Sequence, residues 1–182
     1  MYEAVRGYEP EQTCRPKMFM RLLDATSEQD SSKMTRKALV AEDSLVQRTA
    51  ICRIMKAFGW DVIQAENGKH AMEVVLEQDG IDLVVLDWQM PVMDGLEFLS
   101  IFRSMPEFVR NPKVMMMSAK QTMPAIVRAI SAGADEYVMK PFTIEILANK
   151  LQMMGFPCEL PDMSAVEEEI FSEKVVDQVE TP

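Results

Sequence analysis

Four chemically useful groups follow apolar runs in this chain. Asp87 closes Ile81-Asp82-Leu83-Val84-Val85-Leu86-Asp87 and leads into Trp88-Gln89-Met90-Pro91-Val92-Met93-Asp94-Gly95. The acid pair Glu42-Asp43 follows Ala38 to Ala41, Ser118 follows Lys113 to Met117, and Lys140 follows Asp135 to Met139. A carboxylate that accepts a phosphoryl group must be ionised, so Asp87 is expected outside a wholly apolar pocket. A divalent metal is expected to offset the repulsion between such a pocket and an anionic donor. Asp43 and Asp87, with the backbone carbonyl of Gln89, offer hard oxygen ligands, and Glu42 can hold a metal-bound water. Lys140 and Ser118 suit the charge that spreads over the transferring oxygens.

Taken singly, each residue has a plainer explanation. Asp43 before Ser44 can cap a helix, Lys140 before Pro141 can be a loop lysine, and Ser118 can be a turn serine. The argument rests on where the four fall. The five apolar residues before Asp87 read as a strand buried on both faces, as in a parallel sheet. In open parallel sheets, ligands collect at the carboxyl ends of strands.

The elements that must position these groups alternate regularly. Strands are expected at Ala38 to Ala41, Asp61 to Ala65, Ile81 to Asp87, Lys113 to Met117 and Asp135 to Met139. A first helix, with Ser44 as N-cap, carries Leu45, Ile51, Ile54, Met55 and Phe58 and stops at Gly59. A second runs from Gly68 to Gln78 with Ala71, Met72, Val75 and Leu76 inward, and a third presents Leu96, Phe98, Leu99, Ile101 and Phe102. A fourth, from about Pro124 to Ser131, ends at Gly133. The fifth, from about Thr143 to Met154, presents Ile144, Leu147, Ala148 and Leu151. This βα repeat implies an α/β, flavodoxin-like doubly wound parallel sheet of five strands with helices on both faces.

Bulk properties narrow the function classes. The chain has 182 residues, room for one ordinary domain plus extensions, and 48% of them are hydrophobic, enough for a full core. No apolar stretch is long enough to span a membrane, and Met1 to Pro16 lacks the apolar block of a secretory signal. Cys14, Cys52 and Cys158 are too widely spaced for a disulfide framework or metal motif, so a reducing, cytoplasmic compartment is expected. The formal charge of −10 and the absence of a basic stripe argue against nucleic-acid binding. His70, in a charged stretch, reads as a surface residue, and Met115-Met116-Met117 as core filling.

Residues 1–34 read as a disordered N-terminal extension, residues 35–155 as the folded domain, and residues 156–182 as an acidic tail. Met34, just before the first strand, is an alternative translation start. The tail holds eight acids against Lys174 alone. Ser164 and Glu167 have capping-box spacing, and Val166, Ile170, Val175 and Val179 form an imperfect stripe. A short acidic helix and a disordered tail are both open readings there.

Ala41-Glu42-Asp43-Ser44, the Leu86 to Gly95 segment, Met117-Ser118-Ala119 and the Gly133 to Phe142 segment together resemble the receiver domain of two-component response regulators. The resemblance covers about Arg36 to Gly155. It implies that Asp87 is the phosphoacceptor, served by a sensor histidine kinase or a histidine phosphotransfer protein. It further implies that Glu42, Asp43, Asp87 and the Gln89 carbonyl serve magnesium or manganese, and that Ser118 and Lys140 engage the phosphoryl group. Tyr137 takes the switch-aromatic position of a two-state domain.

Glu42 replaces the more frequent aspartate, Ser118 the commoner threonine, and Trp88 is similar to the chemotaxis-type (CheY-like) receivers. Gln89 and Lys120 flank the pocket where phosphoryl lifetime is tuned in the family. The expectation is a stand-alone receiver, not an enzyme beyond its own phosphorylation and dephosphorylation. Its expected partners are the phosphodonor and an output protein, with homodimerisation possible through the fourth helix, fifth strand and fifth helix. A phosphate-independent pseudo-receiver is the alternative. A haloacid-dehalogenase-type hydrolase expects a second aspartate where Gln89 stands.

Overall fold

A computed structural model describes residues 35–109 and 111–160. The N-terminal extension, the Met34 start and the acidic-tail helix lie outside these described residues. Five strands, β1 (Lys37–Ala41), β2 (Asp61–Ala65), β3 (Ile81–Asp87), β4 (Lys113–Ser118) and β5 (Glu136–Met139), alternate with five helices. These are α1 (Leu45–Ala57), α2 (Gly68–Glu77), α3 (Gly95–Ser104), α4 (Met123–Ser131) and α5 (Ile144–Met153). All strand pairs are parallel, in the order β2-β1-β3-β4-β5. The flavodoxin-like doubly wound sheet expected from the βα repeat is therefore the observed one.

Strand side chains alternate between faces, which splits the core in two. Val84, Leu86, Val114 and Met116 meet Ala71 and Val75 of α2, Leu99 and Phe102 of α3, and Ala129 of α4. Leu83, Val85, Met115 and Met117 meet Ile51, Cys52 and Met55 of α1 and Leu147 and Leu151 of α5. A continuous apolar run in β3 is thus required, because both of its faces are covered. Phe98 and Phe102 are fully buried and stacked at 5.2 Å. Truncating either to alanine carries the cavity cost of a core aromatic, about 3–5 kcal/mol.

Three expected inward residues face outward: Leu45 and Leu76 are largely exposed and Ile101 partly so. Leu45 is the first residue of α1, before the buried side of that helix at Ile51, Cys52 and Met55. Leu76 follows the buried Val75, and the 100° step per helical residue turns it away from the sheet. His70 is partly buried rather than fully at the surface. Among the described residues no helix is long and apolar enough to cross a membrane.

The edge of the sheet where the strands begin is fastened by side chains. Arg36 donates to the Pro157 carbonyl at 3.1 Å and lies over the Trp60 ring, which also meets Phe156 edge-on with centroids 5.0 Å apart. Farther along, Arg103 donates to the carbonyls of Gly133, Phe108 and Pro112 and to Asp135. Asp135 also accepts from Lys113 and from the Val114 amide, each at 2.8 Å.

Candidate functional site

Strand register sets the first-order geometry at the other edge. Ala41 pairs with Leu86, so Glu42 stands level with Asp87; Asp87 pairs with Met117, and Ser118 with Met139. Glu42, Asp87, Ser118 and Lys140 therefore reach one edge from four adjacent strands. Two helix starts complete it. Ser44 caps α1 by accepting from the Gln47 amide, and Asp94 caps α3 by accepting from the Glu97 amide at 2.8 Å.

The loop after β3 folds back tightly. The Gly95 amide donates to the Trp88 carbonyl at 2.9 Å, and a Cβ at position 95 would lie 2.1 Å from the Asp87 carbonyl oxygen. Only glycine fits at that approach. Val92, in the same loop, has φ of 69°, a left-handed value that a β-branched residue rarely adopts.

Lys140 is the hub. Its ammonium donates to Asp87 Oδ1 at 2.6 Å, to Glu42 Oε2 at 2.5 Å and to Gln47 Oε1 at 3.0 Å. Asp87 Oδ2 accepts the Gln89 amide at 2.7 Å. Oxygens of Glu42, Asp43 and Asp87 lie within 4.8 Å of one another, with Glu42 and Asp87 buried and Asp43 exposed. Burial raises the pKa of Glu42, and the Asp87 charge adds to that against the opposing pull of Lys140. For Lys140, burial acts downward, but hydrogen bonds and charges from Asp87 and Glu42 outweigh it and leave the pKa above the ordinary lysine value.

Three carboxylates share the one partly buried ammonium of Lys140, with Arg48 bonded to backbone carbonyls and Lys120 at the margin, so the site is rich in negative charge. Hard oxygens at this spacing fit a divalent cation with an oxygen shell. A mouth of about 460 Å³ opens beside them, with Asp43, Trp88, Gln89, Met90 and Lys120 among its walls.

Ser118 is almost fully buried, and its Oγ accepts the Lys120 amide at 3.0 Å. Tyr137 is buried, its hydroxyl donates to the Lys120 carbonyl at 2.6 Å, and its ring meets Trp88 edge-on at 6.5 Å. The Lys120 ammonium lies 4.2 Å from the centroid of the Trp88 ring. The Ser118 hydroxyl, Tyr137 and the mouth are thereby linked through Lys120. The structure brings Glu42, Asp43, Asp87, Gln89, Ser118, Lys140 and the Tyr137 hydroxyl to this edge. It adds two more, Gln47 and Arg48, whose guanidinium donates to the Glu42 carbonyl at 2.6 Å. Only the Ser44 cap pointed to that stretch of α1, and it points to helix formation rather than to the site.

Comparison with known proteins agrees with this geometry. The family model "Response regulator receiver domain" matches residues 38–152. A chemotaxis protein CheY homolog of Campylobacter jejuni is 31% identical over 117 residues, covering 64% of this chain and 89% of that protein. The chemotaxis protein CheY1 of Helicobacter pylori is 32% identical over 119 residues, covering 65% and 95%. Among solved structures, the CheX-CheY-BeF3-Mg2+ complex from Borrelia burgdorferi aligns with a TM-score of 0.60 at 26% identity, covering 65% of this chain and 88% of that one. CheY4 of Vibrio cholerae aligns equally well, over 65% and 98%. With the family model spanning the folded core and CheY proteins among the relatives, the chain belongs to the response regulator receiver domain family, in its CheY-like form.

Proposed function

We propose that this receiver accepts a phosphoryl group on Asp87 from a histidine kinase or phosphotransfer protein and thereby switches its protein contacts. The observation that carries this reading is the ion cluster itself: Asp87 held by Lys140 and grouped with Glu42 and Asp43. In the reaction, an Asp87 carboxylate oxygen forms a bond to phosphorus. The bond from phosphorus to the donor atom breaks, and its electron pair leaves with the donor. Glu42, Asp43 and Asp87 would hold magnesium or manganese, with the Gln89 carbonyl as a further ligand. Bound metal neutralises charge on the transferring oxygens. Lys140 and Ser118 meet those oxygens directly, and Tyr137 carries the change outward through its bond to the loop at Lys120.

The chain catalyses only its own phosphorylation and dephosphorylation. Its output is a contact with another protein, and the outer surface of α4, β5 and α5 is the favoured surface. Exposed Met123, Val127, Ile130, Met139 and Ile146 support that choice, for an output partner or for a second copy. The test is incubation with magnesium and acetyl phosphate followed by intact mass, with Asp87→Ala and metal-free controls. An adduct that needs both Asp87 and metal is expected. Absence of the adduct, together with no binding of beryllofluoride, would overturn the reading in favour of a phosphate-independent adaptor.

A further inference from the structure

All three N–H bonds of the Lys140 ammonium have acceptors. Two are the buried carboxylates of Glu42 and Asp87; the third is the neutral carboxamide oxygen of Gln47 at 3.0 Å, on the exposed first turn of α1. Gln47 is the third residue of that helix, after the Ser44 cap. In a Ser-x-x-Gln capping box, the cap hydroxyl accepts the third residue's amide and the glutamine reaches back to the cap's amide. Here the first half is present, the Gln47 amide donating to Ser44 Oγ at 3.4 Å. The second half is missing. The Ser44 amide donates to Glu42 Oε1 at 3.3 Å, and the Gln47 carboxamide is turned to Lys140.

An incoming phosphoryl group brings anionic oxygens that need a donor, and before transfer Lys140 has none to spare. One of its three bonds must be surrendered. Until the new bond to phosphorus forms, Asp87 is still a carboxylate, and bonds from an ammonium to carboxylates are stronger than one to a neutral amide, so the bond to Gln47 is the first to yield. We propose that Gln47 is a positioning residue: it occupies the third N–H of Lys140 before phosphorylation and releases it to a phosphoryl oxygen. This rests on the phosphoacceptor reading of Asp87 and adds a chain-specific brake to it.

The test uses the full chain with magnesium and acetyl phosphate, comparing wild type, Gln47→Leu and Gln47→Glu by intact mass over a range of donor concentrations. Leucine leaves the third N–H to easily displaced water, so the rate at saturating donor should rise about threefold. Glutamate adds a third anion to Lys140, and that rate should fall about tenfold, the scale of one charge-assisted bond. Simple repulsion of the donor by the added charge would instead raise the half-saturating concentration. Urea unfolding of the same variants separates a helix-capping role, because glutamate in a first turn favours the helix and leucine does not. Saturating rates that follow the stability order, or that stay within about twofold of wild type, would overturn the assignment. An unmodified wild type would overturn the phosphoacceptor reading and this inference with it.

Discussion

At one edge of the sheet a lysine is held by two carboxylates; at the other, an aspartate is held by two cations. Lys140 sits between Glu42 and Asp87, and Asp135 between Arg103 and Lys113. The two clusters use the same chemistry for different ends. Arg103 spends four hydrogen bonds tying the ends of α3, β4 and β5 together, and Asp135 adds the Val114 amide to its two cations. That cluster closes on itself. At the Lys140 edge, Asp43 adds a third carboxylate to the two that Lys140 already holds, and it faces an open mouth. A satisfied cluster secures the fold, whereas one left short of positive charge is ready for a ligand.

Substitutions should separate the two roles. Asp87→Asn is expected to abolish the phosphoryl adduct outright, read by intact mass. It should also hold or raise stability in metal-free protein, because it removes one of the crowded negative charges. Arg103→Met should do the opposite, lowering stability by about 2 kcal/mol in urea unfolding, chiefly by orphaning three part-buried carbonyls. The fraction that remains folded should still take phosphate at the wild-type rate. If that rate fell as well, the two edges would not be independent.

Magnesium gives a smaller contrast. At ten times its dissociation constant it should stabilise the wild type by about 1.4 kcal/mol. Asp43→Asn should lose most of that gain, and Arg103→Met should keep it. The smallest effect concerns pH. The raised pKa of Glu42 means that the fold binds its proton more tightly than the unfolded chain does. The resulting contribution is complete below the unfolded value near 4.5 and is lost as pH rises through the higher folded value. Metal-free protein should therefore lose some stability across that window, and Glu42→Gln should flatten the loss in urea midpoints.

Much of this was legible in the sequence, for a physical reason. Strands buried on both faces leave long apolar runs, and parallel strands deliver their ends to one edge, so Asp87, Glu42, Ser118 and Lys140 could be brought together from order alone. The Arg103–Asp135 clasp was not legible, because nothing in either segment states which charge it will meet. The same holds for Gln47, which lies 93 residues from Lys140 and whose spacing from Ser44 suggests only a helix cap. Leu45 and Leu76 misled because hydrophobicity marks which residues can be buried, while helix phase decides which are.

The hydrogen bond from Arg36 to the Pro157 carbonyl joins residues 121 positions apart. It brings the entrance of the fold beside its exit, at the edge where β1 begins and away from the carboxyl end that bears Asp87. Topologically the domain is nearly a closed ring. A short linker across that gap, with new termini opened in an exposed loop elsewhere, should yield a circular permutant that folds and retains its acidic mouth.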